Sequence, residues 1–290
     1  MKMKSSAISH GAATIVNAIA TGKGAAFGIT LETKAYVELN NSRKYTTGIR
    51  DYPDEDTRLI ELCARKVIDY FDLDYGADIE TVSNIPIAAG LKSSSTAANA
   101  VVLATMGAVA RECDVEILDD LTLINLGIDA ALKANVTVTG AFDDASASYF
   151  GGFVVTDNIK RKILKSGGME SLNVLIYVPG EKSYTNKIDV NRTKLLTKEV
   201  FCAWDKALEG DLYTALTLNG LLYSASLGFD TKIPLAALNA GAVAAGLSGT
   251  GPSVVALTKD SPKEIIEAWS GFDGRIIEAK TSNKKAGLLK

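Results

Sequence analysis

Histidine is nearly absent from this chain, which carries only His10 among its 290 residues. A metal site built from several histidines is therefore excluded, and a triad with a histidine base could use His10 alone. We expect the general base of any proton-transfer chemistry to be a carboxylate or a lysine. His10 itself is interpreted as a loop residue.

Cysteine is also scarce, and the thiols of Cys63, Cys113 and Cys202 lie far apart in the sequence. An odd number of isolated cysteines without metal-ligand spacing argues against a disulfide framework and against a zinc site. Cys63 and Cys113 fall within helical patterns, so both are predicted to be core residues.

Long apolar runs and an excess of basic residues are missing as well. No run of about eighteen apolar residues occurs, so no transmembrane helix is expected. Residues 5–13 are too polar for the core of a signal peptide. The formal net charge is −3 and the basic residues are scattered, which does not favour nucleic-acid binding. The sequence therefore predicts a cytoplasmic protein without nucleic-acid or membrane partners.

The length of the chain and its 47% hydrophobic content allow two domains with cores of their own. Alternation of apolar residues from 27 to 39 predicts a strand with one buried face. The polar segment 158–168 predicts a boundary, which gives domains 1–158 and 159–290, each an α/β domain of mixed strand order. Further strands are predicted at 78–84, 149–155, 174–178, 253–258 and 275–280, a strand or turn at 12–20, and helices at 57–71, 97–110, 118–134, 193–208, 212–226, 235–245 and 262–269.

The most informative segment is a serine loop, defined here as residues 86–96, which leads from a predicted strand into a predicted helix. The first N–H groups of a helix lack intrahelical partners and favour an anion, most often a phosphate. The loop is not a Walker A motif, because Lys92 precedes the serines. A simpler interpretation is a serine N-cap after a flexible turn, and local chemistry leaves both open. Its residues are Pro86, Ile87, Ala88, Ala89, Gly90, Leu91, Lys92, Ser93, Ser94, Ser95 and Thr96.

Two further loops contain residues suited to phosphate chemistry. The aspartate turn, residues 140–144, places Asp143 and Asp144 after a glycine. The carboxylate of Asp143 could act as a base or simply favour a turn, whereas Asp144 is interpreted as a support or a second magnesium contact. The glycine loop, residues 246–252, carries three glycines that permit close approach of backbone to a ligand. A helix C-cap followed by a proline turn is the alternative for this loop.

Together the three loops resemble the GHMP kinase superfamily, named for galactose, homoserine, mevalonate and phosphomevalonate kinases. Residues 86–94 match its second motif, Pro-x-x-x-Gly-Leu-x-Ser-Ser, and residues 246–251 match its glycine-rich third motif. Residues 11–24 and 139–145 look like the archaeal type of shikimate kinase within that superfamily. The resemblance implies an α+β fold, with an N-terminal α/β domain containing a left-handed βαβ crossover and a ferredoxin-like C-terminal domain.

The resemblance also implies an activity, which is the ATP-dependent phosphorylation of the 3-hydroxyl of shikimate in aromatic amino-acid biosynthesis. The serine loop would hold the ATP phosphates, with Ser94 reaching Mg²⁺. Asp143 would face the hydroxyl nucleophile and act in catalysis. Residues expected to contact the substrate are Lys23, Gly249, Thr250 and Gly251.

Two departures from the superfamily pattern concern positive charge and metal binding. Residues 11–17 have neither the proline of the first motif nor the lysine of its mevalonate branch. Leu132 and Lys133 stand near the place of the metal-binding glutamate of mevalonate kinases. Homoserine kinase is the nearest alternative activity, and a catalytically inactive nucleotide-binding sensor is the alternative of another class.

Overall fold

The computed structural model describes residues 3–86, 90–137, 139–180 and 189–290, and these ranges form two β-sheets with helices packed against them. The predicted α+β fold is confirmed. The strands are β1 (Lys4–Val16), β2 (Lys23–Asn40), β3 (Tyr45–Ile49), β4 (Gly76–Ser83), β5 (Phe153–Asp157), β6 (Lys162–Gly167), β7 (Asn173–Pro179), β8 (Ala244–Leu247), β9 (Val254–Thr258), β10 (Gly274–Lys280) and β11 (Gly287–Leu288). The helices are α1 (Arg58–Tyr70), α2 (Ser93–Cys113), α3 (Asp120–Lys133), α4 (Phe142–Phe150), α5 (Val190–Lys194), α6 (Thr197–Glu209), α7 (Leu212–Leu227), α8 (Lys232–Asn239) and α9 (Lys263–Trp269).

The first sheet is built around the long strand β2. Its order is β11-β1-β2-β4-β3, while β5 pairs with the beginning of β2 and β6 pairs with β5. β3 and β4 are parallel and are joined through α1, because parallel neighbours need a crossover connection. This unit is the predicted βαβ crossover, and its hand stays a prediction.

The second sheet has the order β10-β7-β9-β8, and its neighbouring strands are antiparallel. Counted along the chain, these four strands lie in the order 4-1-3-2. Helices connect the first strand to the second and the third to the fourth, which is the β-α-β-β-α-β pattern of a ferredoxin-like domain. The prediction for the C-terminal half is confirmed.

The two sheets divide between Gly167 and Asn173. This lies at the end of the polar segment 158–168 rather than at residue 158, because β6 pairs with β5 in the first sheet. The C-terminal end of the chain also returns to the first sheet, where β11 pairs with β1. The division of the chain into 1–158 and 159–290 is therefore not the division between the sheets.

Two hydrophobic clusters make up most of the core. In one, α1, α2, α3 and α4 contribute apolar side chains that pack with Ala35, Val37 and Leu39 of β2. In the other, Phe27 and Ile29 of the same strand pack among residues of the second sheet and of α6 and α7. The second cluster joins the two halves of the molecule through one shared core.

Burial along β2 explains how far its predicted alternation holds. Exposed or half-buried residues alternate with buried ones from Thr30 to Asn40, as predicted. From Gly24 to Ile29 burial is continuous, because the second core covers one face and α4 covers the other. Gly28 lies on the face of β2 that α4 covers, since a Cβ there would lie 3.1 Å from the Cα of Gly151, the residue after α4.

Several elements differ from the sequence-based expectation. Residues 149–155 do not form one strand, since α4 runs to Phe150 and β5 begins at Phe153 after two glycines with positive φ. The helix predicted at 235–245 ends at Asn239. Gly241, at φ +93°, interrupts the alanine-rich run, whose remainder becomes the edge strand β8. The predicted helix 193–208 is divided into α5 and α6.

Among the described residues, no helix combines the length and the apolar character needed to cross a membrane.

Close packing of α7 on β8 yields a prediction about stability. A Cβ at Gly220 would overlap the backbone of Gly246, so Gly220→Ala forces the helix away from the strand. We expect the free energy of unfolding to fall by about 1–3 kcal/mol, the usual range for overpacking, despite the better helix propensity of alanine. Thermal unfolding measures the loss. Gly271→Ala is the control, because nothing lies within 4 Å of its Cβ position, and an equal loss there contradicts the packing argument.

Candidate active site

The three loops singled out in the sequence meet at one cavity of about 510 Å³. The serine loop contributes Ser93, Ser94 and Ser95, and the aspartate turn contributes Asp143 and Asp144. Gly249, Thr250 and Gly251 of the glycine loop lie on another wall. Residues separated by more than 150 positions are thus brought together between the N-termini of α2 and α4.

The N-terminus of α2 is open toward this cavity. Lys92, the residue before the helix, has a left-handed backbone (φ 64°) and gives no side-chain cap. The N–H of Thr96 is the first to bond within the helix, to the carbonyl oxygen of Lys92 at 3.0 Å. In the described part of the chain, the hydroxyls of Ser93, Ser94 and Ser95 have no hydrogen-bond partner. Free N–H groups at the start of a 21-residue helix, beside free hydroxyls, are chemically suited to binding an anion.

Other residues of the serine loop support it from behind. Pro86, Leu91 and Thr96 are buried and do not line the cavity. The hydroxyl of Thr96 donates to the carbonyl oxygen of Lys92 at 2.9 Å. Ile87, Ala88 and Ala89 lie outside the described residues. Within the described residues, the predicted ATP contacts therefore divide into residues that face the cavity and residues that lie behind it.

Gly90 allows the serine loop and the glycine loop to touch. Its φ is +73°, and a Cβ there would lie 2.5 Å from the carbonyl oxygen of Ser248. The Ser248 hydroxyl donates to the carbonyl oxygen of Gly90 at 3.0 Å. Both the backbone conformation and the close approach require glycine at this position.

Asp143 lies in the first turn of α4 and is only 3% exposed. Its Oδ1 accepts a hydrogen bond from Asn158 Nδ2 at 2.7 Å. The carboxylate also packs directly on the Cα of Gly24 in β2, where any Cβ would overlap it. Helix, strand and amide together fix this carboxylate at the edge of the cavity.

The surroundings of Asp143 make it a weaker acid than an ordinary aspartic acid. Burial raises the pKa of Asp143 to about 7, and the neighbouring negative charge of Asp144 acts in the same direction. The Lys92 ammonium and the hydrogen bond from Asn158 oppose this rise. A carboxylate with a pKa near neutrality is well matched to accepting a proton from a substrate hydroxyl.

Asp144 pairs with Lys92, whose Nζ lies 3.0 Å from Asp144 Oδ2. Burial raises the pKa of Asp144, and the ammonium of Lys92 opposes the rise. The other oxygen, Oδ1, is buried and has no hydrogen-bond partner among the described residues. Asp144 is thus held by a lysine of the serine loop, whereas Asp143 is held by an amide.

The end of β1 supports the glycine loop. The N–H of Gly249 donates to Thr14 Oγ1 at 2.9 Å, and Asn17 Nδ2 donates to the carbonyl oxygen of Gly249 at 2.8 Å. Asn219 Oδ1, from α7, accepts from the N–H of Asn17 at 3.0 Å. Sequence reasoning missed these polar residues. Asn17 falls within the segment 11–24 that carries the family resemblance, so its position was the available signal.

The two helices that face the cavity are tied together by buried polar groups. Asn99 Nδ2 of α2 donates to the carbonyl oxygen of Ala145 in α4 at 2.9 Å. The hydroxyls of Thr96 and Ser148 lie 3.3 Å apart. These bonds fix the spacing between the serines and the carboxylates.

Lys23, predicted to bind the substrate, does not line the cavity. Its Nζ pairs with Asp157 and lies 5.6 Å from the ring centre of Trp204. Its role in substrate binding stays a prediction. His10 is buried in β1 rather than placed in a loop. Within the described ranges, no three histidine, cysteine or acidic side chains are grouped to hold a metal.

Comparison with known proteins agrees with this geometry. Residues 58–152 match the family described as GHMP kinases N terminal domain, and residues 234–273 match GHMP kinases C terminal. A shikimate kinase of Methanothermobacter thermautotrophicus is 48% identical over 100% of this chain and 99% of its own length. A shikimate kinase of Methanosarcina mazei is 49% identical over 99% of this chain and 97% of its own.

Solved structures show the same fold at low sequence identity. Mevalonate kinase of Methanococcus jannaschii has a TM-score of 0.78 at 19% identity, covering 96% of this chain and 98% of its own. Homoserine kinase of Cytophaga hutchinsonii has a TM-score of 0.76 at 16% identity, covering 100% and 98%. With the family matches and the full-length relatives, these findings establish that the chain belongs to the GHMP kinase family and, within it, to the family of these shikimate kinases.

Proposed function

We propose that this chain transfers the γ-phosphoryl group of ATP to the 3-hydroxyl of shikimate. The observation that carries the proposal is the position of a buried carboxylate of raised pKa, Asp143, in the same cavity as the free N-terminus of α2. This pairing brings a base for a hydroxyl beside a site for phosphate. The choice of shikimate rests on the relatives that carry that name.

The phosphates of ATP are assigned to the N-terminus of α2. The N–H groups and hydroxyls of Ser93, Ser94 and Ser95 supply donors to phosphate oxygens. Ser94 is our candidate for the protein ligand of Mg²⁺, and its free hydroxyl fits that role. When bound, Mg²⁺ neutralises charge on the phosphate oxygens. Magnesium in such sites is held by few side chains together with phosphates.

In the reaction, the oxygen of the substrate hydroxyl forms a bond to the γ-phosphorus. The bond from that phosphorus to the bridging oxygen breaks, and ADP leaves with the electron pair. Asp143 accepts the proton of the hydroxyl, so the carboxylate must be ionised at the start. Most of the acceleration comes from positioning and charge neutralisation, because phosphoryl transfer needs little covalent help.

The acceptor is assigned to the side of the cavity formed by the glycine loop. Gly249, Thr250 and Gly251 line that side, and they are our candidates for contacts to a polyhydroxylated ring. Lys23 is kept as a candidate for the carboxylate of the substrate, which requires its release from Asp157. A site built to bond hydroxyls rejects acceptors that lack them, since its polar groups would be left unpaired.

A panel of acceptors tests the proposed function. With ATP and Mg²⁺, we expect ADP release with shikimate and not with homoserine or mevalonate. Mass spectrometry and NMR should identify shikimate 3-phosphate as the product. Faster turnover of homoserine than shikimate would overturn the choice of acceptor, and a lack of ADP release with every acceptor would favour an inactive nucleotide-binding protein.

Replacement of the base is expected to separate binding from chemistry. Asp143→Asn should keep ATP affinity, because the serine loop is untouched, and should lower kcat by about a hundredfold or more. The loss in Asp144→Asn should be smaller, because Asp144 Oδ2 is occupied by its ion pair with Lys92. Calorimetry of ATP binding and steady-state turnover measure the two effects. A larger loss of kcat in Asp144→Asn than in Asp143→Asn would show that the base has been assigned to the wrong residue.

The raised pKa of Asp143 predicts the acid side of the pH profile. The carboxylate must lose its proton before it can accept one, so kcat/KM for the acceptor should fall as pH drops below about 7. The slope should approach about tenfold per pH unit. The activity that remains in Asp143→Asn should not show this fall in kcat/KM at low pH. An unchanged kcat/KM down to pH 5 in the wild type contradicts the assignment.

A further inference from the structure

Lys92 is the one cationic side chain that lines the cavity within the described part of the chain. The same lining contains the carboxylates of Glu55, Asp56, Asp143 and Asp144. The phosphates of ATP and the carboxylate of the acceptor add further negative charge. A positive group aimed at the reacting centre is therefore worth more here than in a cavity of balanced charge.

The backbone of Lys92 places its ammonium beside the anion site. Lys92 immediately precedes α2, so the free N–H groups of Ser93 to Ser95 follow it directly. Its left-handed conformation, φ 64° and ψ 30°, lets the side chain turn across the mouth of the helix toward α4. The lysine and the phosphate donors thus belong to one turn of chain.

Contacts at the other end hold the ammonium in place. Nζ lies 3.0 Å from Asp144 Oδ2, and the Lys92 side chain is 10% exposed. A Cβ at Gly249 would lie 2.7 Å from Nζ, so the glycine loop closes over the ammonium from the opposite side. Asp143, the proposed base, is next to Asp144 in the chain. The ammonium therefore lies against the residue that follows the base, on a side chain that starts at the residue before the phosphate donors.

We propose that Lys92 is a further catalytic residue, whose ammonium contacts the transferred phosphoryl group, and that Asp144 is the positioning residue that holds the ammonium there. The inference rests on the proposed phosphoryl transfer and assigns the group that neutralises charge within it. While the acceptor oxygen bonds to the γ-phosphorus and the bond to the bridging oxygen of ADP breaks, the equatorial oxygens keep their negative charge. Lys92 bonds those oxygens and keeps its protons, while the proton of the acceptor goes to Asp143.

A substitution that removes the charge of Lys92 but keeps the length of its side chain tests the catalytic role. Lys92→Met should lower kcat by about a hundredfold to a thousandfold, the scale for one donor aimed at developing charge. ATP affinity, measured by calorimetry, should change by less than about tenfold, because the N–H groups of α2 remain. Lys259→Met is the matched control. That lysine pairs with Glu170 on the surface, 3.1 Å away, and its loss should leave kcat within about twofold.

A double-mutant cycle tests the role of Asp144. If Asp144 acts through Lys92, Lys92→Met/Asp144→Asn should be no slower than Lys92→Met alone. The double variant also removes both members of the ion pair. If Lys92→Met unfolds because Asp144 is left without its partner, the double variant can therefore still be measured. If the fold losses of kcat in the two single variants multiply in the double variant, the two residues act independently, and the positioning role of Asp144 is overturned.

The pH profile gives a readout that a purely structural lysine would not move. The ammonium lowers the pKa of Asp143, so in Lys92→Met the acid limb of kcat/KM should shift to higher pH. Lost ATP affinity with kcat unchanged would overturn the inference and make Lys92 a simple binding residue. These ratios can be measured with whichever acceptor the wild type uses. Failure of shikimate as an acceptor would therefore count against the proposed function alone.

Discussion

Two buried carboxylates beside one mostly covered ammonium are the constraint on which the rest of the site depends. Asp143 and Asp144 are consecutive and nearly inaccessible, and Lys92 is the cation that offsets them in the described lining. Charges removed from water are costly unless they are paired and hydrogen-bonded. The pairing of Lys92 with Asp144 leaves Asp143 with an amide partner and a raised pKa. One ion pair thus gives two adjacent aspartates different partners.

The fold supplies the surroundings that this arrangement needs. Burial of Asp143 requires α4 to lie directly on β2, and Gly24 permits that approach because it has no Cβ. The spacing of α2 and α4 is set by Asn99, Thr96 and Ser148. The glycine loop belongs to the second sheet and is bonded to Thr14 and Asn17 of the first. The cavity therefore exists only while both halves share their core.

Helix termini explain why the loops of the site have unusual backbones. Lys92 and Ala141, which precede α2 and α4, are both left-handed although neither is glycine, at φ 64° and 46°. Non-glycine residues adopt this conformation at a cost and persist in it where the surroundings enforce it. Without a side-chain cap in either case, the first N–H groups of both helices are left for other partners. A residue that capped α2 in the usual way would compete with a phosphate.

The sequence by itself singled out the serine loop, the aspartate turn and the glycine loop, because their hydroxyls, carboxylates and glycines suit phosphate chemistry. Taken one at a time, each segment was equally compatible with a helix cap or a turn. The sequence also determined the long elements, such as β2 and α2, through periodicity and helix propensity. Helix α4 was not predicted, because it is short and is preceded by Gly140 and Ala141, two left-handed residues that look like a turn. The alanine-rich strand β8 favours a helix by propensity and becomes a strand only by pairing with β9. Tertiary structure alone decided that Lys92 meets Asp144 and that Asp143 meets Asn158. These contacts depend on the distance between helices set by the core, which local sequence does not encode.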